Sequence, residues 1–529
     1  MKTIIFRTDS SYELGSGHLI RCRTLARALK KRGAKVIFIS KKIKGNLIKT
    51  IEKEFKTYTI EPNSEFKLDS KEKNFYSKTL CSNQFEDFSK TLEIINIKLR
   101  TNIDWIIIDH YAIDEQWTKC IKKSKSRYLK ESKIFIIDDL INRHFDADII
   151  LNQNFYGEYK NDLYNNLVPK GCRQFIGPKF ALIGNEYKDL RKNFISRKKI
   201  SRVLIFFGGV DRKNHTVNII KQIIDINLPE IIFDVVIGEQ NKNYEEIKTL
   251  IKKFKNFRLY VQINSLANLI FKSDLYIGSA GTTNWERACL GLPSIVKSIS
   301  NDQNNIIKNL ERAGLTEKFN LQNFKSIFKK YLSNDNLLET KSNLNFQLTE
   351  AVGADILSII LLGKETKLRI REISRIDKKL LLYWANDYKV RNNSFSKARI
   401  TVEEHSIWFE KILSSKNKHQ FIITDEFHLP IAQSRFDENS NNLIIDYSID
   451  KLFRGNSLAE EVLKISFLKI YEKLGGSFKI IGKVKMNNIR SLKSFRSIKN
   501  GKEKFFEESG IYIFEFSFEN KDFLNSLKR

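Results

Sequence analysis

The feature that most constrains this chain is a recurring local order: a short apolar run, a glycine-bearing loop, then the start of a helix. Residues 3–8 lead into Gly15-Ser16-Gly17-His18 and a helical stretch at 18–32 that stops at Gly33. Far along the chain, Leu275-Tyr276-Ile277 leads into Gly278-Ser279-Ala280-Gly281-Thr282-Thr283-Asn284-Trp285-Glu286-Arg287. Further apolar runs stand at 36–39, 104–109, 133–138, 202–207, 232–237 and 257–261. Strands without polar alternation, separated by helical segments, are buried on both faces, which is the condition of a parallel, doubly wound sheet. Such sheets bind ligands outside the carboxyl ends of their strands. Asp109, His110, Asp138 and Asp139 fall at such ends.

The chain has 529 residues, too many for one ordinary core. The pattern restarts after about residue 196, where residues 202–207 run into Gly208-Gly209-Val210-Asp211. Two α/β halves, 1–195 and 196–345, predict two Rossmann-like lobes facing a cleft, the GT-B arrangement. Residues 335–365 have a helical pattern, and 346–366 are expected as a linker with a hinge at Lys364-Glu365-Thr366-Lys367. From 367 to 529 the texture is that of a separate α+β domain. Its expected strands are at 367–370, 421–424, 430–433 and 442–449, and its helices at 377–388 and 402–414.

The formal charge of +30 raises the question of nucleic acid. The excess is scattered as pairs such as Lys41-Lys42, Lys198-Lys199 and Lys378-Lys379, and no arginine-rich arm or zinc-finger spacing accompanies it. The expectation is therefore no nucleic-acid partner, but an attraction for anionic small substrates. Five cysteines at long spacings, with no CxxC, predict neither a disulfide framework nor a zinc site and fit a reducing compartment. The first residues lack a basic region followed by a long apolar core, and the longest apolar stretch, near 356–362, is too short to span a bilayer. A cytoplasmic protein with no membrane association is expected.

The two glycine runs carry the chemistry. A strand end, a glycine loop and a helix start supply free backbone N–H groups and a positive dipole end, suited to a diphosphate. His18 stands where it can present an imidazole to the same cleft. In the second run small residues let the backbone approach phosphate, the threonines add donors, and Glu286 can accept from ribose hydroxyls.

Residues 1–340 resemble the UDP-sugar hydrolases of pseudaminic acid synthesis, relatives of the MurG-like GT-B glycosyltransferases. The residues carrying the likeness are Phe6-Arg7-Thr8-Asp9-Ser10-Ser11, the GSGH run, Ile108-Asp109-His110-Tyr111, Asp138-Asp139, Asp148-Ile149-Ile150-Leu151-Asn152, Phe207-Gly208-Gly209-Val210-Asp211 and the 278–293 run. The resemblance implies release of UDP from UDP-2,4-diacetamido-2,4,6-trideoxy-β-L-altrose by water attack at the anomeric carbon, with inversion and no metal. His18 would be the base on water, an imidazole being suited to take a proton near neutral pH. Tyr111 and Asp9 would assist it. The UDP-sugar would be held by Gly15, Gly17, Arg143, Asn152, Gly209, Ser279, Gly281, Thr282, Thr283, Glu286 and Gln303.

Arg454-Gly455-Asn456-Ser457-Leu458-Ala459 is similar to the pyrophosphate loop of GNAT acetyltransferases, and residues 484–495 to their closing motif. Residues 367–529 as a whole resemble the acetyltransferase of the same pathway. The resemblance implies acetyl-CoA as cosubstrate, held by Arg454, Gly455, Ser457, Leu458, Asn487 and Ser491. The UDP-4-amino sugar would meet Arg391, Asn393, Glu404 and His405. Two departures stand out: Phe495 occupies the place of a tyrosine general acid, and Ala385 that of a frequent arginine. The expectation is a bifunctional enzyme catalysing consecutive steps, with other enzymes of the pathway as possible partners. The alternatives are a GT-B glycosyltransferase with an accessory acyltransferase, the same chemistry on another nonulosonate precursor, or a nucleotide-binding protein without catalysis.

Overall fold

The computed structural model describes residues 1–63, 76–157, 163–239, 241–440, 442–519 and 521–528. The chain divides into two compact units, Met1–Ser358 and Ile359–Arg529.

The first unit holds two parallel sheets. Strands β1 (Thr3–Thr8), β2 (Lys35–Lys41), β3 (Lys56–Ile60), β4 (Trp105–Asp109), β5 (Lys133–Ile137), β6 (Ile149–Asn152) and β7 (Arg173–Ile176) pair in the order β3-β2-β1-β4-β5-β6-β7. The chain order reverses between β1 and β4, which opens a crevice at their carboxyl ends. Register sharpens this, because Thr8 lies level with Asp109. The loop leaving β1 and the carboxylate ending β4 therefore meet at one edge.

The second sheet comprises β8 (Arg202–Phe206), β9 (Ile232–Ile237), β10 (Phe257–Val261), β11 (Leu275–Ser279), β12 (Ser294–Lys297) and β13 (Glu317–Lys318), in the order β10-β9-β8-β11-β12-β13. Its switch point lies between β8 and β11. Gly278 is required there, since a Cβ would collide with the Phe206 carbonyl on the neighbouring strand. Each lobe has its own core, Ile5, Ile106, Ile134 and Trp117 in the first, and Val203, Phe233, Ile277 and Ile295 in the second.

Residues 346–366, expected as a linker, contain a helix, Gly353–Leu362, whose Ile356, Leu357, Ile359 and Ile360 are buried. Gly353 sits where a Cβ would collide with the backbone at Phe180 and Ala181. Asp355 accepts from Arg32 Nη2 at 2.9 Å and from Lys188 Nζ at 2.8 Å. The boundary between the units falls inside this helix. A linker reading fails here because the segment's apolar residues have a surface to bury against.

The second unit is built on β14 (Leu368–Glu372), β15 (Lys418–Asp425), β16 (Pro430–Asn439), β17 (Asn442–Ile449), β18 (Lys479–Lys485), β19 (Lys502–Phe506) and β20 (Ile511–Ser517). Their order is β14-β15-β16-β17-β18-β20-β19, and pairing is antiparallel except between β17 and β18. That parallel pair covers only Asn442–Ile445 against Lys479–Gly482, although the strands continue to Ile449 and Lys485. The two strands part at this point, and β17 keeps only its β16 neighbour. Helix Ala459–Leu474 buries Leu463, Phe467 and Ile470 in this unit's core. Among the described residues no helix is long and apolar enough to cross a membrane.

Candidate functional site

A cleft of about 660 Å³ runs between the two lobes of the first unit. Its first wall begins at Gly15, whose φ of +74° turns the chain and whose N–H donates to Ser11 O at 2.8 Å. Helix Gly17–Lys31 starts at once, and His18, Arg21 and Cys22 lie on its buried face at i, i+3 and i+4. His18 Nδ1 is 2.5 Å from Asp109 Oδ1. Arg21 donates through Nε to Asp109 Oδ2 at 2.6 Å, through Nη2 to Oδ1 at 2.7 Å, and through Nη1 to Asp139 Oδ2 at 2.5 Å.

Burial alone would raise the Asp109 carboxyl, but the charges of Arg21 and His18 and their hydrogen bonds outweigh it and hold it well below the usual carboxylate range. An ionised carboxylate only accepts, so the proton of a neutral His18 ring sits on Nδ1. Nε2 then carries the lone pair, and it has no hydrogen-bond partner among the described residues. Tyr111 stands edge-on to this ring, centroids 4.3 Å apart, and its hydroxyl donates to Asp139 Oδ2 at 2.8 Å. Asn154 Nδ2 donates to the other Asp139 oxygen at 3.1 Å. The geometry is that of a base oriented by a carboxylate, beside a phenol and an arginine.

The second wall comes from the loops after β8, β9 and β11. Gly209 O accepts from Gly238 N at 2.9 Å, and a Cβ on Gly238 would stand 2.7 Å from that oxygen. Tyr276 Oη donates to Phe206 O at 2.6 Å and lies 3.1 Å from Ser279 O, fixing the exit of β11. Ser279, Gly281, Thr282, Thr283, Glu286 and Gln303 all line the cleft, as do Gly15, Gly17 and Gly209 opposite and beside them. Gly17 would bring a Cβ within 3.4 Å of the Thr282 methyl, so the two glycine runs do face each other. Burial pushes the Glu286 carboxyl up to about 7, against the hydrogen bond from Tyr187. Arg212 Nη2 reaches across to Tyr12 O at 2.6 Å and ties the two lips.

Three expected residues lie off the cleft. Asp9 has no exposed surface and accepts from Arg7 Nη1 and Nη2 at 2.6 and 2.9 Å and from Lys41 N at 2.6 Å. Asp87 completes this buried network, with Arg7 Nη2 at 2.6 Å and Lys41 Nζ at 3.0 Å. A carboxylate whose lone pairs are taken this way positions backbone and does not reach a sugar. His110, with Nε2 3.4 Å from Asp9, is pushed down to about 3 by burial. Arg143 pairs with Asp138 and donates to the carbonyls of Tyr111 and Ile113, so it fixes the turn carrying Tyr111. Asn152 donates to the Tyr156 and Tyr164 hydroxyls at 3.0 and 2.9 Å and accepts from Asn154 N at 3.0 Å, which places Asn154 beside Asp139.

The sequence reading missed Arg21, Asn154 and His215 as cleft residues. Arg21 was open to inference, being one helical turn after His18. Asn154 and His215 follow strand ends without a spacing that marks them.

In the second unit, Gly455 has φ +81° and Ser457 φ +57°, and nothing stands within 4 Å of where a Gly455 Cβ would be. Leu458 precedes helix Ala459–Leu474. Arg454 is anchored through Nε to Ile449 O at 2.8 Å and through Nη1 to Asp387 Oδ1 at 2.7 Å. The loop thus hangs directly from the end of β17, beyond its separation from β18. Asn487 is exposed in the turn after β18, and Ser491 Oγ lies 3.3 Å from the Tyr447 hydroxyl on β17. Lys485 Nζ donates to Ser394 O at 2.5 Å, bringing the segment of Arg391 and Asn393 to the end of β18.

Glu404 and His405 have other work. Glu404 forms a capping box with Thr401 at the start of helix Val402–Ser414. His405 is buried against Trp408 and Phe409, ring centroids at 5.1 and 6.0 Å. Phe495 is in the core, stacked on Phe514 at 5.2 Å. A second hollow, about 720 Å³, is lined by Lys379, Tyr383, Asp387, Tyr388, Arg399 and Lys451 among others. Among the described residues no group of three His, Cys, Asp or Glu side chains is arranged to hold a metal ion.

No family model matches the chain. An uncharacterised protein of Methanocaldococcus jannaschii is 26% identical over 507 residues, covering 93% of this chain and 95% of its own. The UDP-2,4-diacetamido-2,4,6-trideoxy-β-L-altropyranose hydrolase of Campylobacter jejuni is 29% identical over 281 residues, 53% of this chain and 85% of its own. Spore coat polysaccharide biosynthesis protein SpsG of Bacillus subtilis is 23% identical over 294 residues, 55% of this chain and 75% of its own. Among solved structures, Acinetobacter baumannii MurG aligns with 68% of this chain and 99% of its own at 15% identity and a TM-score of 0.46. Spermidine N-acetyltransferase of Vibrio cholerae aligns with 30% of this chain and 98% of its own at 15% identity and a TM-score of 0.28. The N-terminal half of the chain is similar in sequence to the altropyranose hydrolase and to SpsG and is folded as two Rossmann-like lobes, and a second α+β unit follows it.

Proposed function

We propose that this chain acetylates a UDP-4-amino sugar in its second unit and hydrolyses the acetylated UDP-sugar in its first. The observation that carries the hydrolase reading is the His18–Asp109 pair in the cleft. Water on the face of the sugar opposite UDP loses its proton to His18 Nε2 as its oxygen bonds the anomeric carbon. The C–O bond to the β-phosphate breaks, and UDP leaves with its electron pair, giving inversion. Asp109 stabilises the imidazolium that forms, and Asp139 fixes the Tyr111 ring against the sugar. The Ser279–Thr283 loop and Glu286 hold the nucleotide on the second wall. The similarity to the altropyranose hydrolase supports UDP-2,4-diacetamido-2,4,6-trideoxy-β-L-altrose as the substrate.

In the second unit the parting of β17 and β18 leaves one edge of β17 open to the amide groups of pantetheine, and the Arg454–Leu458 loop takes the CoA diphosphate. The neutral 4-amino group attacks the thioester carbonyl, the C–S bond breaks, and the proton shed by the nitrogen passes to solvent. Phe495 has no proton to give the departing thiolate, whereas the Tyr447 hydroxyl beside Ser491 does. Arg391 and Asn393 face the acceptor from the segment joined to β18, while Glu404 and His405 act only through the helix they stabilise and fill.

Mass spectrometry of the UDP-4-amino sugar incubated with acetyl-CoA tests the whole reading. The expected record is a gain of one acetyl group followed by loss of UDP. Sugar transfer to an added acceptor, without release to water, would establish the glycosyltransferase alternative instead.

A further inference from the structure

His215 begins helix His215–Ile226 at the carboxyl edge of β8, just after the Gly208–Asp211 turn. It lines the cleft, is only 8% exposed, and neither ring nitrogen has a hydrogen-bond partner among the described residues. Two unmet polar atoms on one buried ring are costly unless a ligand meets them. Asp211 has already taken the first amides of this helix, accepting from His215 N at 3.0 Å and Thr216 N at 2.7 Å. An anion therefore gains little from those amides and would be drawn to the side chains above them.

These are positive. Lys213 lies two residues before His215, and Lys297 ends β12. Both act electrostatically on the His215 ring, opposed by Asp211, and burial together with the two ammonium groups pushes the imidazole below its ordinary value. Neither lysine has a carboxylate partner among the described residues. Register brings these parts together, because Gly278 of β11 lies level with Phe206 and Ser279 with Lys297. A neutral ligand could satisfy the ring but would leave two ammonium groups beside the single carboxylate of Asp211; a multiply charged anion meets the ring and both lysines.

We infer that His215, supported by Lys213 and Lys297, is the side-chain ligand of the diphosphate in a nucleoside diphosphate bound on the second wall. The inference rests on the UDP-sugar reading of the same cleft. In the reaction, the His215 N–H and the two lysines would hold the charge that grows on the leaving phosphate as the anomeric C–O bond breaks. None of the strand-end glycines can supply that charge.

Calorimetric titration of the full chain with UDP, UMP, inorganic pyrophosphate and uridine tests this. In His215→Ala the UDP dissociation constant should rise roughly tenfold or more, the loss expected for a hydrogen bond to a charged group. UMP should lose less, pyrophosphate should lose as much as UDP, and uridine should be unchanged. His215→Gln, which restores an N–H donor, should recover part of the loss, and unaltered thermal unfolding of either variant would show the helix start intact. Equal UDP affinity in wild type and His215→Ala would overturn the inference and leave the UDP-sugar reading standing. Failure of wild-type protein to bind UDP at all would overturn that reading itself.

Discussion

Replacing His18 by alanine separates the catalytic contribution of this ring from its structural one. The ring sits in a buried network, so the first question is what its removal leaves behind. Asp109 keeps two hydrogen bonds from Arg21, at 2.6 and 2.7 Å, and no charge is orphaned. The stability cost should stay near that of one hydrogen bond, about 1 kcal/mol. Loss of a general base removes about 10²- to 10⁴-fold in rate, or about 3–5 kcal/mol of barrier. Asp109→Asn makes the contrast. It turns one accepting oxygen into an NH2 donor and removes the charge that fixes the His18 tautomer, and it leaves Arg21, 3% exposed, with Asp139 as its remaining carboxylate. Breaking such a pair costs about 3–5 kcal/mol of stability. His18→Ala should therefore be a stable, inactive protein, and Asp109→Asn an inactive and destabilised one. Release of UDP from the diacetamido substrate, read alongside thermal unfolding and the UDP dissociation constant, separates the two. UDP release by His18→Ala at the wild-type rate would refute the mechanism.

Two further outcomes follow from other parts of the structure. Glu286 titrates near 7 in the folded chain, above the ordinary carboxylate value of about 4.3; the native state then binds a proton that the unfolded chain has lost, so stability falls as pH rises from about 4 to about 7 and changes no further beyond. Glu286→Gln cannot lose that proton, so its melting temperature should gain on wild type across this window while UDP binding weakens, and a difference flat with pH would count against the assignment. Gly455→Val places a β-branched residue at φ +81° in the open part of its loop; acetyl transfer should be lost, with UDP release from already acetylated substrate intact, and retained acetylation would show that this loop does not hold CoA.

Most of the parallel sheets was legible because an apolar run such as 232–237 has only one way to be buried on both faces. The edges of the second unit were less so. β19 is exposed along its whole length and its alternating Lys502, Glu503 and Lys504 resemble a loop, so only its pairing with β20 makes it a strand. At the site, the sequence placed residues at strand ends correctly but could not tell which side chains turn outward. Asp9 and Asp109 both follow apolar strands, yet one is consumed by Arg7 and Lys41 and the other meets His18. That difference depends on Asp87, which lies in a distant helix and leaves no local mark. Glu404 shows the reverse: the Thr401–Glu404 spacing is itself the signature of a capping box, and it describes the structure better than a substrate contact does.

The helix Gly353–Leu362 has a practical consequence for anyone wishing to separate the two units. A cut after residue 345, where the sequence suggests a free tether, would delete Asp355 and with it the carboxylate shared by Arg32 and Lys188. It would also uncover the backbone at Phe180 and Ala181, against which Gly353 rests. A fragment of the first unit ending there would lose its last brace and should melt early, so low activity in such a fragment would say nothing about a need for the second unit. Fragments for that comparison should retain the whole helix through Leu362.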